Sequence, residues 1–79
     1  MEITLKLYGF LKKHINNYEQ NNDQNLKVNS FKSIKQILEQ NNIPIKEVGF
    51  ILKGNKTVNI DYQVQKGDVI KVFPPIAGG

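Results

Sequence analysis

Ser30-Phe31-Lys32-Ser33-Ile34-Lys35-Gln36-Ile37-Leu38-Glu39-Gln40 is the segment from which the architecture can be worked out. Phe31, Ile34, Ile37 and Leu38 recur at spacings of three and four, which lines one face of a helix. Ser30 stands where an N-cap belongs, its hydroxyl placed to accept from a free backbone N–H of the first turn. Downstream, Pro44 lacks a backbone donor and restricts Ile43, so the helix is expected to fade at Asn41-Asn42. This is the one stretch that reads clearly as a helix.

On both sides of it the pattern changes to period two. Upstream, Ile3, Leu5 and Leu7 alternate with Glu2, Thr4, Lys6 and Tyr8, a half-buried strand that ends near Gly9. Phe10, Leu11 and Ile15 follow as apolar anchors in either an irregular loop or a short helical turn. Asn16-Asn17-Tyr18-Glu19-Gln20-Asn21-Asn22-Asp23-Gln24-Asn25 has neither period and reads as a solvated loop. Leu26-Lys27-Val28-Asn29 resumes the alternation as a short strand. Beyond the helix, Phe50-Ile51-Leu52-Lys53 is a strand, Gly54-Asn55 a turn and Thr57-Val58-Asn59-Ile60 a short return strand. Lys66-Gly67-Asp68 turns the chain into Val69-Ile70-Lys71-Val72-Phe73, which Pro74-Pro75 end because neither donates to a ladder.

Strands before and after a single helix predict an α+β domain, a mixed sheet with one main helix packed on one face. Two hairpins flanking a helix form the ubiquitin-like β-grasp. A ferredoxin-like split fold is the rival, and it needs a second helix that is not visible here. The first and last strands are expected to be parallel neighbours. Phe31, Ile34, Ile37 and Leu38 would then pack on the sheet face that bears Ile3, Leu5, Leu7, Ile70 and Val72. The β-grasp domain is expected to take in residues 1–75, with residues 76–79 as a projecting tail. Seventy-nine residues, 39% apolar and 23% charged, suffice for one such core and not for two.

Composition excludes several functions. Without cysteine there is no disulfide framework, thiolate zinc site, iron–sulfur cluster or cysteine nucleophile. All 11 basic residues are lysine, so the net charge of +4 arises without the bidentate fork that base readout favours, and no nucleic-acid partner is expected. No apolar run approaches the ~18 residues of a membrane span, so no membrane partner is expected and the chain reads as cytoplasmic. The seven carboxylates are scattered, with no metal-ligand spacing. His14 is the sole histidine and reads as a surface loop residue; Ser30 and Ser33 are the only serines, and no nucleophile-elbow turn accompanies them. No bound cofactor and no autonomous active site are expected.

The C-terminus reads differently. Val72-Phe73-Pro74-Pro75-Ile76-Ala77-Gly78-Gly79 runs from a strand through two stiffening prolines to a diglycine. A stiff base aims the tip away from the body and lowers the entropy lost when a partner grips it. Gly78 and Gly79 fit a narrow channel and leave a carboxylate open to attack from either side. A carboxylate is a poor electrophile; joined to AMP it becomes an acyl adenylate that a sulfur or nitrogen nucleophile displaces, two easier steps in place of one. By period two, Val69, Lys71 and Phe73 face away from the helix. Phe73 is either an exposed aromatic, and so a docking anchor whose removal would spare the fold, or covered by a loop.

The ending Phe73-Pro74-Pro75-Ile76-Ala77-Gly78-Gly79 resembles the terminal motif of ubiquitin-like sulfur carriers of the MoaD/ThiS family. It is closest to the small subunit of molybdopterin synthase, the MoaD type. The resemblance extends over the whole chain, through the N-terminal strand, the central helix and the Gly67-Asp68 turn before the last strand. It implies that an E1-like adenylating enzyme activates Gly79 with ATP, and that sulfur from a persulfide replaces the AMP to give a thiocarboxylate. It further implies that the molybdopterin synthase large subunit receives Phe73, Pro74, Pro75, Ile76, Ala77 and Gly78 as a binding segment. There the sulfur would pass to cyclic pyranopterin monophosphate to build a dithiolene. Pro44-Ile45-Lys46-Glu47-Val48-Gly49-Phe50-Ile51-Leu52 also resembles sulfur carriers outside molybdenum metabolism. A ThiS-type carrier for thiamine thiazole synthesis, a protein modifier conjugated through Gly79, and an interaction module with an inert tail are the alternatives.

Overall fold

The computed structural model describes residues 2–14, 23–27 and 32–76. Alternation in Glu2–Leu7 produces β1, which buries Ile3, Leu5 and Leu7 and turns Glu2, Thr4 and Lys6 to the other face. A 3-10 helix, Gly9–His14, follows, so the short helical turn is the reading that holds. It carries Leu11 into the core and leaves Phe10 49% exposed; Ile15, the third expected anchor, lies outside the described residues.

Strand β2 spans Asp23–Lys27 and so begins inside the amide-rich stretch that reads as a loop. The cause is pairing rather than pattern. β1 offers its outer edge, and backbone groups pair antiparallel from Lys27 opposite Glu2 to Asp23 opposite Lys6. Asp23-Gln24-Asn25 has no side-chain alternation to announce that. Val28 and Asn29 lie outside the described residues.

Helix α1 is Ile34–Gln40, and its N-cap is Ser33 rather than Ser30. The Ser33 hydroxyl accepts from the Gln36 N–H at 3.2 Å, while the Gln36 side chain accepts from the Ser33 N–H at 2.9 Å. This reciprocal capping box satisfies two donors with one Ser-x-x-Gln spacing. Ser30 is followed three residues on by Ser33, which cannot return the second bond. Ser30 and Phe31 lie outside the described residues. At the far end Asn42 adopts φ 62°, and the N–H groups of Asn42 and Ile43 donate back to the carbonyls of Glu39 and Leu38. That closure, with Ile43 buried behind it, ends the helix where Pro44 requires.

A second 3-10 helix, Ile45–Glu47, leads to β3 (Phe50–Lys53), β4 (Lys56–Val58) and β5 (Val69–Phe73). The return strand is shorter than its pattern suggests. Ile60 leaves the ladder, packs against the core and gives its carbonyl to the Lys35 N–H. The five strands form one mixed sheet in the order β2-β1-β5-β3-β4, in which β1 and β5 are parallel neighbours and the other pairs are antiparallel. Ile34, Ile37 and Leu38 of α1 bury against Ile3, Leu5, Leu7, Ile70 and Val72, as the alternation predicts. This is the β-grasp architecture. No polar or charged side chain is buried in the core among the described residues.

Candidate functional site

Because β1 and β3 flank β5, three chain segments meet at one end of the sheet. They are the exit of β1 at Tyr8-Gly9, the entry to β3 at Gly49-Phe50, and the exit of β5 at Phe73-Pro74. On the face away from α1 their aromatic rings stack. Tyr8 and Phe73 lie 4.3 Å apart at 10°, and Phe73 and Phe50 lie 4.5 Å apart at 4°. Register explains this, since Phe50 is directly opposite Phe73 and Tyr8 continues the alignment that sets Leu7 beside Val72. Phe73 is therefore half-buried as the middle ring of a stack, rather than bare or covered by a loop, and Phe50 is 38% exposed.

The prolines that follow are received by two residues without side chains. Gly9 has φ +59°, and a Cβ there would stand 2.9 Å from Cγ of Pro74. Gly49 is needed for space: a Cβ would come within 2.6 Å of the Pro74 carbonyl oxygen and of Pro75 N and Cα. The Gly49 N–H donates to the Phe73 carbonyl at 2.7 Å, and the Tyr8 N–H donates to the Val72 carbonyl at 3.1 Å. Neighbours on both sides thus hold the chain up to its first proline. Pro74 is half-buried, Pro75 is exposed and Ile76 is 77% exposed. Ala77, Gly78 and Gly79 lie outside the described residues.

His14 lies at this end too, but not as a bare loop residue. Its Nε2 donates to Oε1 of Glu47 at 2.7 Å, with the two side chains 17% and 26% exposed. The hydrogen bond from His14 holds the Glu47 carboxyl below its usual 4.5; partial burial opposes this, and the charges of His14, Lys13 and Lys46 assist it. Among the described residues no group of three or more His, Cys, Asp or Glu could hold a metal ion. No helix among them is long and apolar enough to cross a membrane. What the site can do is present a stiff, narrow segment beside an apolar stack, with reactivity residing in the segment itself.

Sequence reading picked out Phe73, Pro74, Pro75 and Ile76, and the structure places them together. It missed Tyr8, Gly9, Gly49 and Phe50 as partners. One signal was available: Gly49 directly precedes a strand without a turn to serve, which is how a close backbone approach looks in sequence.

A model of the family described as Mut7-C ubiquitin matches residues 1–77. No curated protein matches the sequence. Among solved structures, the chain is similar to a Pyrococcus furiosus protein assigned as molybdopterin converting factor subunit 1, with 14% identity, TM-score 0.72, and coverage of 96% of this chain and 99% of that one. It is similar also to small archaeal modifier protein 1 of Haloferax volcanii, with 12% identity, TM-score 0.70, and coverage of 95% and 98%. A complex of subunits 1 and 2 of the molybdopterin-converting factor from Helicobacter pylori gives 22% identity, TM-score 0.62, and coverage of 100% of both chains. At these identities the likeness is one of fold.

Proposed function

This chain belongs to the Mut7-C ubiquitin family, and from that premise we propose that it is a ubiquitin-like sulfur carrier working through the carboxylate of Gly79. The observation that carries the reading is the built exit of the tail. Pro74 is seated between Gly9 and Gly49, the backbone is bonded up to Phe73, and Ile76 is presented to solvent. A segment anchored in this way enters a partner's channel with little left to order.

The chemistry follows from the carboxylate. An E1-like enzyme would join it to the AMP moiety of ATP, releasing pyrophosphate. A persulfide would attack the acyl carbon and expel AMP, and a thiol would then cleave the resulting S–S bond, leaving sulfur on Gly79. ATP belongs to the partner enzyme rather than to this chain. Role for role, the receiver would be the large subunit of molybdopterin synthase, docking on Phe50, Phe73 and the segment from Pro74 to Gly78. The likeness to subunit 1 of the Helicobacter pylori complex supports a large-subunit partner. An apolar groove of about 390 Å³, lined by Ile45, Val48, Phe50, Val58 and Ile60, extends this docking surface from the ring stack.

A protein modifier is the second reading, favoured by the likeness to small archaeal modifier protein 1. Co-expression with an adenylating enzyme and a sulfur donor, followed by intact mass, separates the two. Replacement of one oxygen by sulfur on Gly79 supports the carrier; isopeptide attachment to lysines supports the modifier; an unchanged chain overturns both. Deleting Gly79 should leave the melting temperature in place and abolish sulfur loading. One extended residue spans roughly 3.3–3.6 Å, and a misplacement of even ~1 Å costs about 100-fold in rate.

A further inference from the structure

The two glycines that receive Pro74 belong to segments far apart in sequence, and one side-chain bond links those segments. Gly9 opens the first 3-10 helix and His14 closes it. Glu47 closes the second, and Gly49 lies two residues further on. The bond between His14 Nε2 and Glu47 Oε1, at 2.7 Å, spans 33 residues of sequence. From Gly9 through His14 and Glu47 to Gly49, a short path therefore passes around the exit of β5. Since β1 and β3 lie on opposite sides of β5, Gly9 and Gly49 meet Pro74 from opposite sides. Leu11 of the first 3-10 helix is a core residue and Ile45 of the second packs against that core, which puts the link on the α1 side. On the opposite side the stack of Tyr8, Phe73 and Phe50 completes the enclosure.

We propose that His14 and Glu47 form a clasp that positions the tail, fixing the direction in which the segment after Pro75 leaves the domain. Each half of the path is held separately, one by buried Leu11 and the other by the N–H of Val48 donating to the Ile45 carbonyl. The clasp sets the spacing between them. An ionised carboxylate can only accept, so Nε2 of His14 carries the proton and the bond is charge-assisted. Its partial burial limits screening by solvent without removing it. His14 and Glu47 touch neither the tail nor the reacting carboxylate; they are positioning residues that act through Gly9 and Gly49. The consequence for sulfur loading rests on the carrier reading above, while the consequence for the tail does not.

The test uses the full chain as wild type, H14A, E47A and the exchanged pair H14E/E47H. Hydrogen exchange is followed at the Gly49 amide, which holds the Phe73 carbonyl, and at the Ile51 and Val72 amides in the sheet. Adenylation by an E1-like enzyme with ATP is measured in parallel. Each single variant should speed Gly49 exchange about tenfold, as for the loss of one charge-assisted bond, with sheet amides unchanged. KM for the carrier should rise while kcat holds, and the exchanged pair should restore both. Unchanged Gly49 exchange, an equal rise at all three amides, or no restoration by the exchanged pair would overturn the clasp. A wild-type chain that is never adenylated would instead overturn the carrier reading, with Gly49 exchange still deciding the clasp.

Discussion

Phe73 shows how a residue's neighbours change what its removal means. An isolated exposed aromatic contributes binding and little stability, which is the expectation its strand position alone suggests. Here both faces of its ring are covered, by Tyr8 and by Phe50. Phe73→Ala should therefore lower stability by roughly 1–3 kcal/mol, through lost burial and two lost ring contacts, as well as weakening partner binding. Phe50 sits at the end of the stack and is more exposed, so Phe50→Ala should cost less stability for a comparable loss of affinity. Thermal melting set beside titration against the large subunit measures both. Gly49 makes the complementary case, since its added methyl would meet backbone rather than a yielding side chain. Gly49→Ala should destabilise by about 1–3 kcal/mol and shift the amide resonances of Phe73 and Ile76 while leaving those of β1 in place.

A helix the length of α1 has no independent stability in water; its ends and its neighbours hold it. Ser33 and Gln36 close the first turn, and the N–H groups of Ile34 and Lys35 donate to the carbonyls of Tyr62 and Ile60 at 2.9 and 2.8 Å. The helix start is thereby fastened to the segment leading into β5. Ser33→Ala removes the cap and half of the box, and should cost about 0.5–2 kcal/mol, read as a lower melting temperature with the β-sheet signature retained. Element positions were largely legible from pattern: β1, β3 and β5 match their alternation, and Ile34, Ile37 and Leu38 match their helical spacing. Misplaced elements share one cause. The start of β2 and the cap of α1 depend on hydrogen bonds between particular partners, which hydrophobic periodicity does not record.

Over the whole molecule, two groups set how stability responds to pH. The carboxyl of Glu47 titrates below its usual 4.5, chiefly because it accepts from His14. Its folded value lies under its unfolded one, so its contribution is present above about pH 4.5 and is lost as pH falls through the lowered value. The Tyr62 hydroxyl is pushed above its usual 10.0 by burial and then by its bond to Asp68, to which it donates at 2.8 Å. That contribution is present below pH 10.0 and is lost as pH rises through the raised value. Melting temperature against pH should accordingly show a plateau with a fall at each end. Tyr62→Phe should flatten the alkaline fall, and Glu47→Gln should flatten part of the acid one.

By itself the sequence determined which residues are buried, since alternation in β1 and β5 and three-four spacing in α1 are local patterns that each assign a face. It also determined that the chain passes through two prolines to a diglycine, because that is composition and order alone. Only the tertiary structure decided what surrounds the exit. Tyr8, Gly49 and Phe73 are far apart along the chain, and they meet because β5 pairs with β1 on one side and β3 on the other. Non-local pairing of this kind is selected by the summed burial of a whole sheet. No short window of sequence contains that sum, so the ring stack, the glycine seats and the bond between His14 and Glu47 emerge only when the sheet is assembled.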